Sequence, residues 1–285
     1  MKTLLLAFLL AVVPLTAAAQ PAAVIDGVQL PAWRERDGAR APLVPGMELR
    51  AGDRILTGKD ARVLVKLGEG SVVKLGENGR LVLAEVQPAK DLFKAALQVL
   101  EGAFRFTTDL ASKTRKREVT VRVEQVTIGL RGTDFWGRSR GDRQVVCLIE
   151  GAIQVGAAGE AAVQLDKPLQ FYQREKGVTQ SVGLVDAKQL EQWGLETEVE
   201  DGKGALRRGG RFGVHLAQGD RREALRPLRD RLREAGYPAE IAQRKQGDKT
   251  NFVLRIRQLP SREAAQALAN QLKGKHGVKE PRVTG

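Results

Sequence analysis

Cysteine, histidine and aromatic residues are scarce in this chain of 285 residues. One cysteine, Cys147, excludes an intramolecular disulfide and a cluster of thiolate metal ligands, and two histidines give little material for an imidazole metal site. No metal and no cofactor is therefore expected. Aromatic residues make up 5% of the sequence, and no basic-glycine-aromatic run of the kind RNA-recognition sheets stack on is present. Long hydrophobic runs are confined to one place, residues 3–15. Acidic residues are outnumbered, 34 to 47, which leaves a formal charge of +13. With 42% hydrophobic and 28% charged residues the composition is globular, neither disordered nor collagen-like, and the length suits one large or two medium domains.

The one apolar run decides the compartment. Lys2 precedes it, and Ala17-Ala18-Ala19 follows as a small-x-small cleavage pattern, so residues 1–19 read as a signal peptide with the mature chain starting near Gln20. The run is too short for a membrane span, the alternative being a retained anchor, and no cysteine stands at the cleavage point to carry a lipid. The expectation is a periplasmic protein with no stable membrane span after signal removal, and with no nucleic acid within reach.

From about Val24 to Val185 short alternating apolar runs are broken by glycines. Val63-x-Val65-x-Leu67, Gly68-Glu69-Gly70, Val73-x-Leu75, Gly76-Glu77-Asn78-Gly79 and Leu81-x-Leu83 form a strand-turn-strand series with hairpin spacing. The pattern resumes through Phe104-x-Phe106, Val119-x-Val121-x-Val123 and 145–155, and favours a β-sandwich or roll. Leu92, Phe93, Ala96, Leu97 and Leu100 recur at helical spacing, although a strand within 95–100 fits as well. A composition shift at 186–210, with a short helix around Leu190-x-x-Trp193 and the acidic run Glu196 to Asp201, reads as a linker.

The remaining residues, 211–285, contain an internal repeat at a shift of 40. Phe212 falls on Phe252, Val214 on Leu254, Leu216 on Ile256, Arg222-Glu223-Ala224 on Arg262-Glu263-Ala264, and Leu232 on Leu272. Each copy is an alternating strand followed by an amphipathic helix, giving a βαββαβ, ferredoxin-like α+β order with both helices on one face of a four-stranded sheet. Pro227 inside the first helix predicts a kink or a late start. Strand parity then sends His215, Arg244, Arg255 and Arg257 to the open face, with the first and third strands as central neighbours. This segment holds 17 basic and 8 acidic residues, most of the net charge. A cation-lined sheet suits an extended anionic or hydroxyl-rich polymer; the plain alternative is a solvated polar face.

The last 75 or so residues resemble a SPOR domain, a peptidoglycan-binding module. The resemblance rests on Val214-His215-Leu216-Ala217-Gln218-Gly219 and on Val253-Leu254-Arg255-Ile256-Arg257-Gln258-Leu259-Pro260-Ser261-Arg262-Glu263. His215 stands where the family carries Gln, Ala217 and Arg257 where it carries Gly, and Val253 where it carries its first Arg. The resemblance implies the fold and the binding of denuded glycan strands on the open face, with Arg255 the best-supported contact. About 130 residues of the N-terminal region resemble a FecR domain through residues 51–58 (AGDRILTG), Glu69-Gly70-Ser71, 100–104 (LEGAF), 128–135 (IGLRGTDF) and Glu150-Gly151-Ala152-Ile153. Relatives that regulate sigma factors carry a cytoplasmic segment and a membrane span ahead of this domain, whereas this chain opens on a signal peptide.

No catalytic residue is assigned. His215 has no partnered nucleophile nearby in sequence, Cys147 lies in an apolar strand, and no local motif elevates any pair among Asp53, Glu69, Asp134 and Glu150. The expected protein is an exported, cell-wall-associated binding protein of the cell envelope and its division. Its FecR-like region (20–185) serves as scaffold or partner-recognition surface and its SPOR-like region (211–285) as the grip on peptidoglycan, with an envelope protein as a further partner. The alternatives are a wall hydrolase targeted by the same module, and a binder of other envelope anions.

Overall fold

In the strand Arg62–Leu67 every second residue, Val63, Val65 and Leu67, is buried, and in Val72–Leu75 so are Val73 and Leu75. Period-two burial closes these two runs into a hairpin, with Val63 opposite Leu75 and Val65 opposite Val73. The same rule organises the N-terminal region of this computed structural model, which describes residues 21–88, 92–108, 116–246 and 249–285. The expected signal peptide lies outside the described residues.

The central strand is Leu92–Thr107. It pairs antiparallel with Arg80–Pro88, Val72–Leu75 and Val126–Arg140, and parallel with Lys116–Val123. The helical spacing around 92–100 is thus coincidental. Burial alternates through Phe93, Ala95, Leu97 and Val99, and a long strand with a neighbour on each side satisfies more backbone groups than a short helix inside a sheet. Among the described residues 17 strands share one hydrogen-bonded network, mainly β throughout, around a core that includes Phe104, Phe106 and Phe135. The Phe135 ring lies edge-on to Phe104 at 5.8 Å and stacked on Phe106 at 5.7 Å.

The strands Val126–Arg140 and Arg143–Ala157 pair along their length except at two register shifts, between Arg131 and Asp134 and between Asp134 and Phe135. At the first of these the backbone of Gly132 crosses that of Gly151. Gly151 has φ +86°, and a Cβ on it would lie 2.1 Å from the Gly132 carbonyl oxygen. Only glycine permits that bulge.

The stretch 186–210 is ordered against the β-rich region. Helix α1 (Ala187–Leu195) is capped by Asp186, whose carboxylate accepts the Lys188 N–H at 2.7 Å, and Trp193 stacks on Trp136 at 4.6 Å. The acidic run that follows meets cations. Glu196 pairs with Arg138, Glu198 with Lys74 and Arg105, and Asp201 with Arg207. The strand Ala205–Arg207 then pairs with Ala23–Gln29. Composition read these residues as a tether because charged and small residues dominate; their partners lie far away in sequence.

The C-terminal sheet has the order Glu240–Gln246, Lys249–Leu259, Phe212–Gly219, Arg282–Thr284, all antiparallel. Helices α2 (Arg222–Glu234) and α3 (Arg262–Leu272) pack on one side of it, and both copies of the repeat bury equivalent positions, Leu225 with Ala265 and Leu232 with Leu272. Ser261 caps α3 by accepting the Ala264 N–H at 3.1 Å. Helix α2 lacks a side-chain cap and starts at Arg222, so Pro227 does not delay it.

The helix layer also faces the β-rich region. The Trp33 indole N–H donates to the Glu234 carbonyl at 2.9 Å, and a Cβ on Gly236 would lie 2.7 Å from the Trp33 ring. Gly204 abuts Leu268 of α3, and one continuous apolar core runs from Ala23 to Val278.

Gly151→Ala should cost more than about 3 kcal/mol, because positive φ and a backbone clash combine. Gly141→Ala, also at positive φ but with open space around it, should cost only about 1 kcal/mol. Urea unfolding of the two variants side by side tests the difference.

Candidate functional site

The sheet register sets four side chains in one row. Glu240 lies opposite Arg255, Arg255 opposite His215, and His215 opposite Arg282, crossing all four strands. Directly paired residues share a face, and this is the face away from α2 and α3, since the alternate residues Val214, Leu216, Leu254 and Ile256 are fully or almost fully buried in the core. No described residue before 212 lines the concavity on it. That concavity, about 350 Å³, is lined by His215, Gln218, Arg244, Val253, Arg282 and Thr284 among others.

The four residues expected on this face differ in what they have free to offer. Arg255 donates to Glu240 at 3.0 Å, and Arg257 reaches the same carboxylate oxygen at 2.7 Å. Each spends a guanidinium donor on Glu240. Arg244 is exposed and has no carboxylate partner among the described residues, and neither has Arg282. His215 lies between cations: burial, then Arg244 and Arg255, hold its pKa below the ordinary imidazole value. A neutral imidazole both donates and accepts, as binding of a hydroxyl-rich chain requires.

Arg282 and Glu240 were legible by the parity that placed Arg244. Ile241 inward sends Glu240 outward, and Val283 against the core sends Arg282 and Thr284 outward. The bulge between His215 and Ala217 is what keeps Gln218 on the same face, opposite Val253.

The carboxylates considered for chemistry in the β-rich region are mostly consumed by structure. Asp53 is fully buried and held by a two-pronged bond from Arg36, at 2.5 and 2.6 Å, and by the Arg50 N–H at 2.9 Å. Burial alone would raise its pKa, but these donors outweigh burial and hold it below the usual carboxylate range. Asp134 is gripped the same way by Arg105, at 2.9 and 2.7 Å. Glu69 is buried, and burial raises its pKa. Cys147 is fully buried and its thiol is pushed up to about 12, where it behaves as a small apolar group. Among the described residues no three His, Cys, Asp or Glu side chains gather to hold a metal ion, and no helix is long and apolar enough to cross a membrane.

Residues 53–154 match the family described as FecR protein, and residues 209–280 match the SPOR domain. No curated protein matches the chain. Two crystal structures of an anti-sigma factor candidate from Parabacteroides distasonis ATCC 8503, at 2.50 and 1.65 Å resolution, are each 14% identical to it. They cover 69% of this chain and 96% of their own, with TM-scores of 0.40 and 0.41. A SPOR domain implies peptidoglycan binding and an association with the cell envelope, and both domains are binding or regulatory modules.

Arg244→Ala should raise the His215 pKa toward the ordinary value by removing a neighbouring cation, read by NMR titration of the imidazole. Because the folded value lies below the unfolded one, His215 adds its full share of stability above the unfolded pKa. That share declines as the pH falls from the unfolded value to the folded one. A His215 pKa that stays put in the variant would remove Arg244 from the site.

Proposed function

We propose that this chain, which carries a FecR domain at 53–154 and a SPOR domain at 209–280, is an exported periplasmic protein that binds the glycan strands of peptidoglycan through the open face of its C-terminal sheet. The observation that carries the reading is the uncovered row Arg255–His215–Arg282 beside Arg244. Guanidinium forks and a neutral imidazole supply directed donors and acceptors along the sheet, and Arg257 adds a cation at its margin. The element order βαββαβ, with the first and third strands central, supports a ferredoxin-like fold for 211–285.

The region 20–185, in this reading a roll of short strands, acts as a scaffold or partner-recognition surface, and residues 186–210 fasten it to the binding module. Its motif residues favour that role over hydrolysis. Asp53 and Asp134 are locked in arginine forks and are not poised as a general acid and base.

Pull-down of the full chain on purified sacculi tests the proposal, with sacculi used before and after amidase treatment. Binding should strengthen when stem peptides are removed and should survive moderate salt. Arg244→Ala and Arg282→Ala should each weaken it about tenfold, while Arg229→Ala on α2, ion-paired with Asp230, should leave it within about twofold. Equal losses at all three positions with steep salt dependence would mean diffuse attraction to envelope anions. Release of soluble muropeptides would make the protein a hydrolase.

A further inference from the structure

One carboxylate stands in the row of side chains that crosses the open face of the C-terminal sheet. Glu240 lies directly opposite Arg255, and Arg255 opposite His215. The Glu240 Oε1 accepts the Arg255 Nε–H at 3.0 Å and lies 2.7 Å from the Arg257 Nε. Arg255 and Arg257 are two apart on one strand and so point to the same side. One oxygen is therefore shared by two guanidiniums. The other, Oε2, has no hydrogen-bond partner among the described residues.

Stability gives little reason for this arrangement. The side chains of Glu240, Arg255 and Arg257 are 43%, 32% and 58% exposed, and ion pairs so open to water contribute little to folding. What the carboxylate changes is the face itself. It fixes a negative charge at one end of a row whose other members are Arg255, His215 and Arg282, while Glu280 borders the concavity toward the other end. Both guanidiniums meet Glu240 through Nε, which leaves their terminal nitrogens as donors.

A free carboxylate oxygen beside free guanidinium donors discriminates between polymers. A hydroxyl donates and accepts at once, so it can bond Oε2 and a guanidinium together. A sulfate or phosphate group offers acceptors only and meets Oε2 as a like charge. Arg244 and Arg282, which have no carboxylate partner among the described residues, remain for an isolated charge on an otherwise hydroxylated chain.

Resting on the reading of this face as the glycan-binding surface, we infer that Glu240 is its specificity-determining residue. It accepts a sugar hydroxyl through Oε2 beside the Arg255 guanidinium, and its charge keeps densely anionic polymers off a surface that net charge alone would offer them.

Binding of the full chain and its variants to dextran sulfate and to amidase-treated sacculi tests this. Glu240→Gln should raise affinity for dextran sulfate about tenfold, by removing a like charge and releasing two guanidiniums. Glu240→Asp, which keeps the charge, should bind dextran sulfate as weakly as the wild type. Glu240→Ala should weaken binding to the sacculi severalfold. Glu223→Gln removes the same charge from α2, where Glu223 pairs with Arg226 at 3.5 Å, and should leave both affinities within about twofold. A gain shared equally by Glu223→Gln would mean net charge alone and would overturn the inference. So would no gain in Glu240→Gln, a gain of the same size in Glu240→Asp, or unchanged sacculus binding in Glu240→Ala. The dextran sulfate arm needs no sacculi: a wild-type chain that fails to hold them sinks the glycan reading, while a gain confined to Glu240→Gln still assigns the exclusion of polyanions to Glu240.

Discussion

An amphipathic helix layer has one apolar side to satisfy and one sheet to lie on, and here that layer also meets a second body. Helices α2 and α3 fill the space between the C-terminal sheet and the β-rich region, and the apolar core continues across both. The contact needs specific residues. Trp33 lies over the chain just after α2, where Gly236 leaves room for its ring, and its N–H closes on the Glu234 carbonyl. Because the helix side of the sheet is used in this way, the opposite side is the one left to solvent. The orientation of the open face follows from where the apolar surface goes.

That arrangement also limits what the exposed face can do by charge alone. The C-terminal region carries a surplus of basic residues, yet on the open face Glu240 occupies both Arg255 and Arg257. Exposed ion pairs of this kind contribute about 0–1 kcal/mol to stability, so their effect is to fix where two guanidiniums point and to reduce the local field. The cations left over, Arg244 and Arg282, flank His215. A long anionic polymer would gain most from uniform charge; a neutral, hydroxylated one gains most from fixed donors beside a neutral imidazole.

Much of this was legible in the sequence, and the misses have physical causes. The 40-residue repeat located both helices and the inward residues of two strands, because burial follows period and parity, which are local properties. Parity also placed His215, Arg244, Arg255 and Arg257 on one face. Ion pairing across strands is not local, and nothing in the run Glu240-Ile241 announces that Glu240 meets two arginines from the neighbouring strand. The run 92–100 fits helix and strand alike, because apolar residues on both parities of a fully paired strand mimic helical spacing; the strand is what forms. The stretch 186–210 misled for a different reason. Its acidic residues look solvated until Arg138, Lys74 and Arg105 arrive from strands far away in sequence.

The signature residues of the β-rich region obey a related logic. Asp53 and Asp134 lie at turns and bulges, where backbone N–H groups and side chains must be pinned without a ladder to do it, and each is pinned by one arginine through two bonds. Arg105 extends the chain of contacts further, because it reaches Glu198 as well as Asp134. One guanidinium thus ties a strand junction to the segment that leads toward the C-terminal sheet. A motif built this way records how a fold closes on itself, which is why its carboxylates mark joints.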